Sequence, residues 1–258
     1  MDKNKIKNFI SKYNFKDLIV CNNYDEVIKN KDIKAIYIAT LNNTHFDLIK
    51  KCSENNKNIL CEKPFTLSYD EGKKVYESVL KNNVNFFEGF AYRSHPQTKI
   101  IQEIVENNEL GEVTNIKSSF GYKVNKIKPE SRIFNKDLGG GAILDIGCYP
   151  LSILNLFYKN SNNYKFLNTK GSFTQTNVDD YAEADIEIDN KIKCQIKVSF
   201  KENYSNKTII EGKKGKLIIR WRVDKIKGSP FEYYNHNHSC NMFIGSRGVF
   251  FSIINPVK

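Results

Sequence analysis

The segment KAIYIATLNNTHFDLIKKCSENNKNILCEKP (residues 34–64) decides the fold class. It begins with a short apolar run, KAIYIAT (34–40), and ends with another, NILCEKP (58–64). Runs of this kind are typical of parallel strands that are covered on both faces. Between them, THFDLIKKCSENN (44–56) spaces its apolar residues as an amphipathic helix does, with Thr44 as a candidate N-cap. The segment therefore predicts a strand-helix-strand unit of a parallel sheet.

The same alternation extends on both sides of this segment. Helices are predicted at residues 5–14, 24–30 and 68–83, and a third strand is predicted at 84–90. In the last helix, Ser68 and Glu71 have the spacing of a capping box. The first third of the chain is therefore expected to form a parallel sheet with helices on its faces.

The pattern changes beyond a further predicted helix at residues 95–113. Period-2 and β-branched runs such as TNIKSSFGYKV (114–124) and KIKCQIKVSF (191–200) predict a large, mostly antiparallel sheet, interrupted by one helix at 141–158. The expected fold class is an α/β domain over residues 1–93, followed by an α+β domain over residues 94–258. Two such domains are typical of an enzyme with a cleft.

Composition limits the possible functions. An apolar content of 40% with 12% aromatic residues predicts a globular chain. The net charge is +11, but only 5 of the 40 basic residues are Arg. Nucleic-acid sites favour the Arg fork, because a planar guanidinium can bond two oxygens at once. Scattered Lys residues therefore argue against a nucleic-acid partner.

Cysteine, histidine and terminal patterns exclude other classes. The six cysteines include no CxxC pair and only four His are present, so no metal site is expected. The polar first residues predict no signal peptide. No apolar run is judged long enough to span a membrane, so no membrane partner is expected. The expected location is the cytoplasm, where thiols stay reduced.

Three polar clusters follow the predicted parallel strands. They are ATLNNTH (39–45), EKP (62–64) and AYRSHP (91–96). Ligands of open parallel sheets bind beyond the carboxyl ends of the strands, so the clusters are expected to share a site. Each cluster taken alone also has an ordinary explanation: a charged turn at EKP, a structural His45, a salt bridge at Arg93.

Two residues of the helix predicted at 141–158 can also be interpreted as either structural or functional. Tyr149 lies among apolar residues and fits a core tyrosine with a satisfied hydroxyl. Asp145 is harder to explain as a core residue, because a carboxylate among isoleucines and leucines needs a partner if it is buried. The glycine run before it (139–141) lets the backbone approach closely at a helix start.

The order and spacing of these elements resemble the Gfo/Idh/MocA oxidoreductase family. The specific parts are EKP (62–64) and GGGAILDIGCYP (139–150), and the version with FAYRSHPQ (90–97) is most similar to the branch that contains dihydrodiol dehydrogenase and related sugar dehydrogenases. The resemblance covers the chain up to about residue 222. It implies a Rossmann-like domain followed by an α+β domain whose sheet mediates homo-oligomer formation.

The resemblance also implies an activity and its catalytic residues. Members transfer a hydride between NAD or NADP and a hydroxyl-bearing carbon, usually on a sugar or cyclic polyol. Lys63 matches the lysine that positions the substrate, Tyr149 the general acid/base, and Asp145 a substrate-binding or orienting group. A tyrosine with a reference pKa of about 10 needs a nearby cation to act as a base near neutrality.

Candidate cofactor contacts come from the same comparison of motifs. Thr40, Asn42 and His45 match the segment that lines the cofactor, and Leu41 stands where the family usually has Pro. The candidate set is completed by three residues of the later clusters: Glu62, Lys63 and Arg93.

A second departure from the family concerns the glycine-rich turn. It contains no G-x-G-x-x-G sequence, and the resemblance implies that roughly forty residues carrying that turn are absent, which makes the Rossmann-like domain incomplete. Three hypotheses follow. The chain is an active enzyme whose start lies upstream of Met1, a truncated and catalytically inactive relative, or a binding or assembly protein that reuses the sheet domain.

Overall fold

The computed structural model describes residues 3–13, 18–158, 161, 163–220, 229–235, 238–245 and 248–253. The chain divides into two compact units, Met1–Gly89 and Phe90–Lys258. Each unit has a sheet of its own.

The first unit alternates helices with short strands, as predicted. Its elements are α1 (Lys3–Tyr13), α2 (Tyr24–Lys29), β1 (Ala35–Ile38), α3 (Asn42–Glu54), β2 (Asn58–Cys61), α4 (Tyr69–Lys81) and β3 (Phe86–Glu88). The three strands are parallel and lie in the order β1-β2-β3. Their carboxyl ends therefore lie at one edge of the sheet.

One face of this sheet carries the core of the first unit. Ile38, Ile59 and Cys61 are buried there with residues of α3 and α4. On the opposite face, Tyr37, Leu60 and Phe87 stand side by side in register. These three side chains are 57%, 43% and 66% exposed. Within the described residues, the expectation that helices cover both faces is therefore wrong for this row.

The two predicted helix caps have different outcomes. Ser68 is the N-cap of α4, since its hydroxyl accepts a hydrogen bond from the Glu71 amide at 3.2 Å. The Thr44 prediction is wrong, because α3 begins two residues earlier, at Asn42, with Leu41 as its N-cap. The Thr44 hydroxyl instead donates to the Leu41 carbonyl at 2.8 Å.

The second unit is built on a large sheet. Its helices are α5 (Pro96–Glu106) and α6 (Cys148–Tyr158), with 3₁₀ turns at Ala91–Ser94 and Lys136–Leu138 and a π-helical turn at Ile143–Gly147. Its strands are β4 (Val113–Gly121), β5 (Tyr164–Phe173), β6 (Asp179–Ile188), β7 (Ile192–Ser199), β8 (Lys207–Gly212), β9 (Gly215–Arg220), β10 (Ser229–Asn235), β11 (His238–Gly245) and β12 (Gly248–Ile253).

The nine strands lie in the order β12-β11-β10-β9-β8-β4-β7-β6-β5. All neighbours are antiparallel except β4 and β7. A parallel sheet with helices, followed by a large and mostly antiparallel sheet, confirms the predicted fold class.

One stretch of the second unit is longer and more apolar than expected from the sequence. By length and composition alone, Lys136–Tyr158 is long and apolar enough to cross a membrane, with a mean hydropathy of 1.3 in its most apolar 18-residue window. Half of that window is buried inside the protein. Ile146, Ile153 and Leu154 are among its buried residues. The stretch therefore also fits the core helix of a globular domain, and the expectation that no apolar run approaches the length of a membrane span is corrected.

Candidate active site

The turn that carries Lys63 is fixed by neighbours on three sides. The Glu62 amide donates to the Ile38 carbonyl at 2.9 Å, and the Phe65 amide donates to the Glu88 carboxylate at 3.2 Å. His45 Nδ1 lies 2.9 Å from the Pro64 carbonyl oxygen. The half-buried Lys63 is therefore presented from a rigid backbone at the carboxyl edge of the parallel sheet.

His45, predicted to line the cofactor, is fully buried. Its second ring nitrogen, Nε2, lies 3.3 Å from the Thr40 carbonyl oxygen. A neutral imidazole donates only one hydrogen bond, so a single tautomer serves one of the two carbonyls at a time. Both observed contacts are to backbone, and they join the ends of β1 and β2. A cofactor contact by His45 stays a prediction.

Glu62 forms a pair that the sequence did not reveal. Its carboxylate accepts a hydrogen bond from the Tyr37 hydroxyl. This bond is the main reason why the pKa of Tyr37 is raised above its ordinary value, with burial adding to it. One oxygen of the predicted cofactor contact is therefore already engaged within the first unit.

The start of α3 supplies the remaining predicted cofactor residues. Thr40 Oγ1 lies 2.6 Å from Thr44 Oγ1, and Leu41 is exposed. The N-cap residue of the helix that begins at Asn42 is Leu41, whose side chain makes no capping hydrogen bond in the described structure. The first amides of a helix carry partial positive charge, so this edge suits a negatively charged group.

Tyr149 belongs to the second unit, where its ring lies on an aromatic wall. It stacks on Phe120 with ring centroids 5.5 Å apart and planes 13° apart. Phe90 meets it edge-on at 5.6 Å, and Tyr92 lies 6.5 Å away. The half-buried ring is thereby held in one position.

Asp145 has the partners that its burial requires. Arg132 Nη1 donates to its Oδ1 at 2.8 Å, and the Tyr122 hydroxyl donates to its Oδ2 at 3.2 Å. The Asp145 side chain is only 6% exposed, whereas the Arg132 side chain is 51% exposed. Burial first, and the Asp145 charge second, raise the pKa of Tyr122 to about 12.

These contacts follow from matched periodicities. Phe120 and Tyr122 are two residues apart at the end of β4, so they project from the same side of the strand. Asp145 lies in the π-helical turn and Tyr149 lies four residues later in α6. Phe120 stacks on Tyr149, and Tyr122 donates to Asp145. Arg132 reaches Asp145 from the loop between β4 and the π-helical turn.

The glycine run allows the close approach that the sequence suggested. Gly141 has φ of +119°, and a Cβ there would lie 2.2 Å from Asp179 Oδ1. Asp179 Oδ2 accepts a hydrogen bond from the Ile143 amide at 2.7 Å, at the start of the π-helical turn. Burial raises the pKa of Asp179, and backbone hydrogen bonds oppose that effect. Asp179 was not foreseen, because it lies 36 residues from its partner.

Arg93 is anchored to α6 within the second unit. Its Nε donates to the Ser152 hydroxyl at 3.1 Å, and its Nη2 donates to the Ser152 carbonyl at 3.0 Å. The Tyr92 hydroxyl lies 2.7 Å from the same Ser152 hydroxyl. These contacts explain how the segment before α5 is held, and a role for Arg93 at the cofactor stays a prediction.

The predicted site residues fall into two groups. The first unit holds Thr40, Leu41, Asn42, His45, Glu62 and Lys63 at one sheet edge, and the second unit holds Arg93, Asp145 and Tyr149. Among the described residues, no group of three His, Cys, Asp or Glu is arranged to hold a metal ion.

A cavity of about 480 Å³ lies elsewhere in the second unit. Its lining is mostly apolar and comes from the π-helical turn, the start of α6, and β5, β6 and β7. None of the predicted site residues lines it. The predicted site residues and this apolar cavity are therefore separate features.

Two family models match the chain. Residues 1–90 match an oxidoreductase family described as having an NAD-binding Rossmann fold. Residues 98–218 match the GFO/IDH/MocA C-terminal domain. The two matches follow each other along the chain, in the same order as its two units.

Similar curated proteins are oxidoreductases. Trans-1,2-dihydrobenzene-1,2-diol dehydrogenase of Xenopus tropicalis is 30% identical over 84% of this chain and 64% of its own length. D-xylose 1-dehydrogenase (NADP(+)) 2 of Haloferax volcanii is 34% identical over 52% of this chain and 41% of its own length. The chain thus spans less than two thirds of the length of these relatives.

Solved structures of the same fold are also oxidoreductases. A 3-ketoreductase from Actinomadura kijaniata, in complex with NADP and TDP-benzene, superposes with a TM-score of 0.78 at 20% identity, over 94% of this chain and 73% of the other. Aldose-aldose oxidoreductase from Caulobacter crescentus, complexed with glycerol, gives a TM-score of 0.77 at 17% identity, over 100% of this chain and 74% of the other. At these identities the likeness shows the fold.

Proposed function

The chain belongs to the Gfo/Idh/MocA oxidoreductase family, and from this premise we propose that it transfers a hydride between NAD or NADP and a hydroxyl-bearing carbon of a sugar, cyclic polyol or related compound. The observation that carries this function is the rigid turn that presents Lys63 at the carboxyl edge of a parallel sheet. That edge is where ligands of such sheets bind.

The residues of the first unit fit the nicotinamide end of the cofactor. The start of α3, at Thr40 to Asn42, places the positive end of a helix at this edge, and Lys63 offers a cation. The 258 residues contain no G-x-G-x-x-G sequence, which is the usual pyrophosphate-binding element. When bound, the nicotinamide supplies the hydride acceptor or donor.

The substrate hydroxyl must lose its proton as the hydride leaves. Tyr149 is assigned as the general base, and its fixed ring suits this role because proton transfer depends on position first. A neighbouring cation favours the phenolate form of a tyrosine. Arg132 is the cation bonded to Asp145, four residues before Tyr149.

Lys63 is assigned to bind and polarise the reacting oxygen. Lys63 and Tyr149 belong to different units, so this role is inferred from the family resemblance and not from a contact between the two residues. Asp145 is assigned as an orienting group, because both of its carboxylate oxygens already accept hydrogen bonds.

The test is a turnover assay with paired variants. The chain is incubated with NADP or NAD and either D-xylose or trans-1,2-dihydrobenzene-1,2-diol, and reduced nicotinamide is followed by absorbance. Tyr149→Phe keeps the ring stack and removes the hydroxyl, so kcat is expected to fall by about 10²-fold or more. Lys63→Met is expected to act in the same direction. Tyr76→Phe and Lys73→Met are the controls, since both side chains are exposed on α4.

A second candidate function is a catalytically inactive binding or assembly protein. The observation that favours it is the lack of a G-x-G-x-x-G sequence in these residues. It predicts a folded chain that neither turns over these substrates nor binds NADPH. Turnover that disappears in Tyr149→Phe would exclude it.

A homo-oligomer formed through the second sheet is also part of this function. In its support, β5 lies at one end of the sheet order and is exposed along most of its length. Phe166 and Phe173 on that strand are 60% and 70% exposed. Light scattering of the purified chain measures the oligomeric state, and a monomer at micromolar concentration would contradict this assignment.

A further inference from the structure

Asp145 and Arg132 form an ion pair in which only the Arg132 side chain is exposed to solvent. The Asp145 carboxylate is closed to other molecules, because one oxygen accepts from Arg132, the other accepts from Tyr122, and the side chain is only 6% exposed. The Arg132 side chain, in contrast, is 51% exposed. The side of this pair that can meet a substrate is therefore the guanidinium.

The guanidinium retains donors after its bond to Asp145. A guanidinium carries five N–H donors in a fixed plane, and the described bond to Asp145 uses Nη1. A carboxylate on one edge of the plane fixes the direction of the remaining N–H groups. Tyr122 contributes to this geometry from the far oxygen of the carboxylate. Arg132 is thus a preorganised donor to oxygen atoms.

The position of this donor relative to Tyr149 follows from the helix. Asp145 lies in the π-helical turn, and Tyr149 lies four residues later in the first turn of α6. Arg132 is bonded to Asp145, and two neighbouring aromatic residues at the end of β4 contact Asp145 and Tyr149: Tyr122 donates to Asp145, and Phe120 stacks on Tyr149. A substrate whose reacting hydroxyl is at Tyr149 would therefore bring the oxygen of a neighbouring carbon toward Arg132.

Resting on the proposed function, we propose that Arg132 is the specificity-determining residue that binds a second substrate oxygen, on the carbon next to the reacting one. The site accordingly selects vicinal diols and α-hydroxy carbonyl compounds over simple alcohols. Asp145 and Tyr122 are positioning residues that hold the guanidinium and do not touch the substrate.

A matched pair of probes tests this role. Trans-cyclohexane-1,2-diol carries the second oxygen, and cyclohexanol lacks it. A hydrogen bond to a charged donor discriminates by about 10- to 100-fold, so the wild-type chain is expected to prefer the diol by that factor in affinity and in kcat/KM. Affinity is measured by calorimetry or saturation-transfer NMR, with cofactor present, so that binding is read even without turnover.

Variants distinguish a specific effect of Arg132 on substrate preference from the effect of the positive charge of its loop. Arg132→Met is expected to lose the preference for the diol, while values for cyclohexanol change by less than about threefold. Lys128→Met is the control, because Lys128 is an exposed cation of the same loop. Arg132→Lys is expected to be intermediate, since an ammonium cannot form the fork.

A second variant guards against a folding defect. Removing Arg132 leaves a buried carboxylate without its cation, which destabilises the fold. Arg132→Met combined with Asp145→Asn removes that charge and should melt closer to the wild type while still lacking the preference. A purely structural role for Arg132 would lower the affinity for both probes equally.

The outcomes separate this role from the proposed function. Diol binding that depends on Arg132, without any turnover, supports the role of Arg132 and contradicts the hydride-transfer activity. Turnover without a diol preference supports the activity and overturns the role of Arg132. Equal diol affinity in the wild type and in Arg132→Met, or no diol binding by the folded wild type, also overturns it.

Discussion

His45 Nδ1 lies 2.9 Å from the carbonyl oxygen of Pro64, so a buried side chain of α3 holds the backbone of the turn that presents Lys63. The same ring reaches the Thr40 carbonyl from its other nitrogen at 3.3 Å. His45 is therefore a positioning residue in the structure as described, and its removal should lower the stability of the fold.

The first prediction concerns His45→Leu. The substitution leaves the Pro64 and Thr40 carbonyls without this partner, so the free energy of unfolding should fall by about 1–3 kcal/mol. His45→Gln retains an N–H donor and should lose less. Urea unfolding followed by circular dichroism measures both. Equal stability of His45→Leu and the wild type would show that the contacts of His45 with the two carbonyls do not stabilise the fold.

The second prediction compares two glycines that flank Asp145. Gly141→Ala would put a Cβ 2.2 Å from Asp179 Oδ1 at a φ of +119°, so it should lower the free energy of unfolding by about 2 kcal/mol or more. Gly147→Ala is the control, since its nearest contact would be an ordinary 3.6 Å. Similar melting temperatures for the two variants would contradict the close approach of Asp179.

The third prediction concerns alkaline stability and Tyr122. Burial and Asp145 raise its folded pKa to about 12, above the value of about 10 for an unfolded chain. A raised folded pKa means that the stabilising effect is full below pH 10 and is lost as the pH rises through 12. Tyr122→Phe should therefore lose less stability than the wild type between pH 9 and pH 11. Parallel urea melts at these two pH values provide the comparison, and identical losses would count against it.

The fourth prediction concerns thiol accessibility. Burial raises the pKa of Cys61 to about 12 and that of Cys52 to about 11, and both side chains lie in the core of the first unit. The half-buried Cys21 lies outside that core. Iodoacetamide at pH 8, with peptides quantified by mass spectrometry, should label Cys21 well before Cys61, because only the thiolate reacts. Comparable rates for the two cysteines would mean that the core opens readily.

Local patterns in the sequence predicted the elements that depend on near neighbours. Apolar runs gave the three parallel strands, and the capping box at Ser68 gave the start of α4. The need of Asp145 for a partner also followed from its apolar neighbours. These features rest on spacing within one or two turns of chain, which a sequence displays directly.

Partners that come from distant parts of the chain were not predictable. Arg132 and Tyr122 lie 13 and 23 residues from Asp145, and they reach it only when a loop closes over the end of β4. The exposed row on the first sheet was also missed. Tyr37 lies in the apolar run AIYI (35–38), so the sequence predicts that it is buried. Periodicity does not show which element would cover it.

A titration of NADPH and of NADH into the purified chain shows whether these 258 residues bind a nicotinamide cofactor. Reduced-nicotinamide fluorescence is expected to saturate with one of the two cofactors. Lys63→Met should shift the curve to weaker binding, and Lys73→Met should leave it unchanged. A folded chain that shows no saturable signal with either cofactor would contradict the binding of a nicotinamide cofactor by these residues.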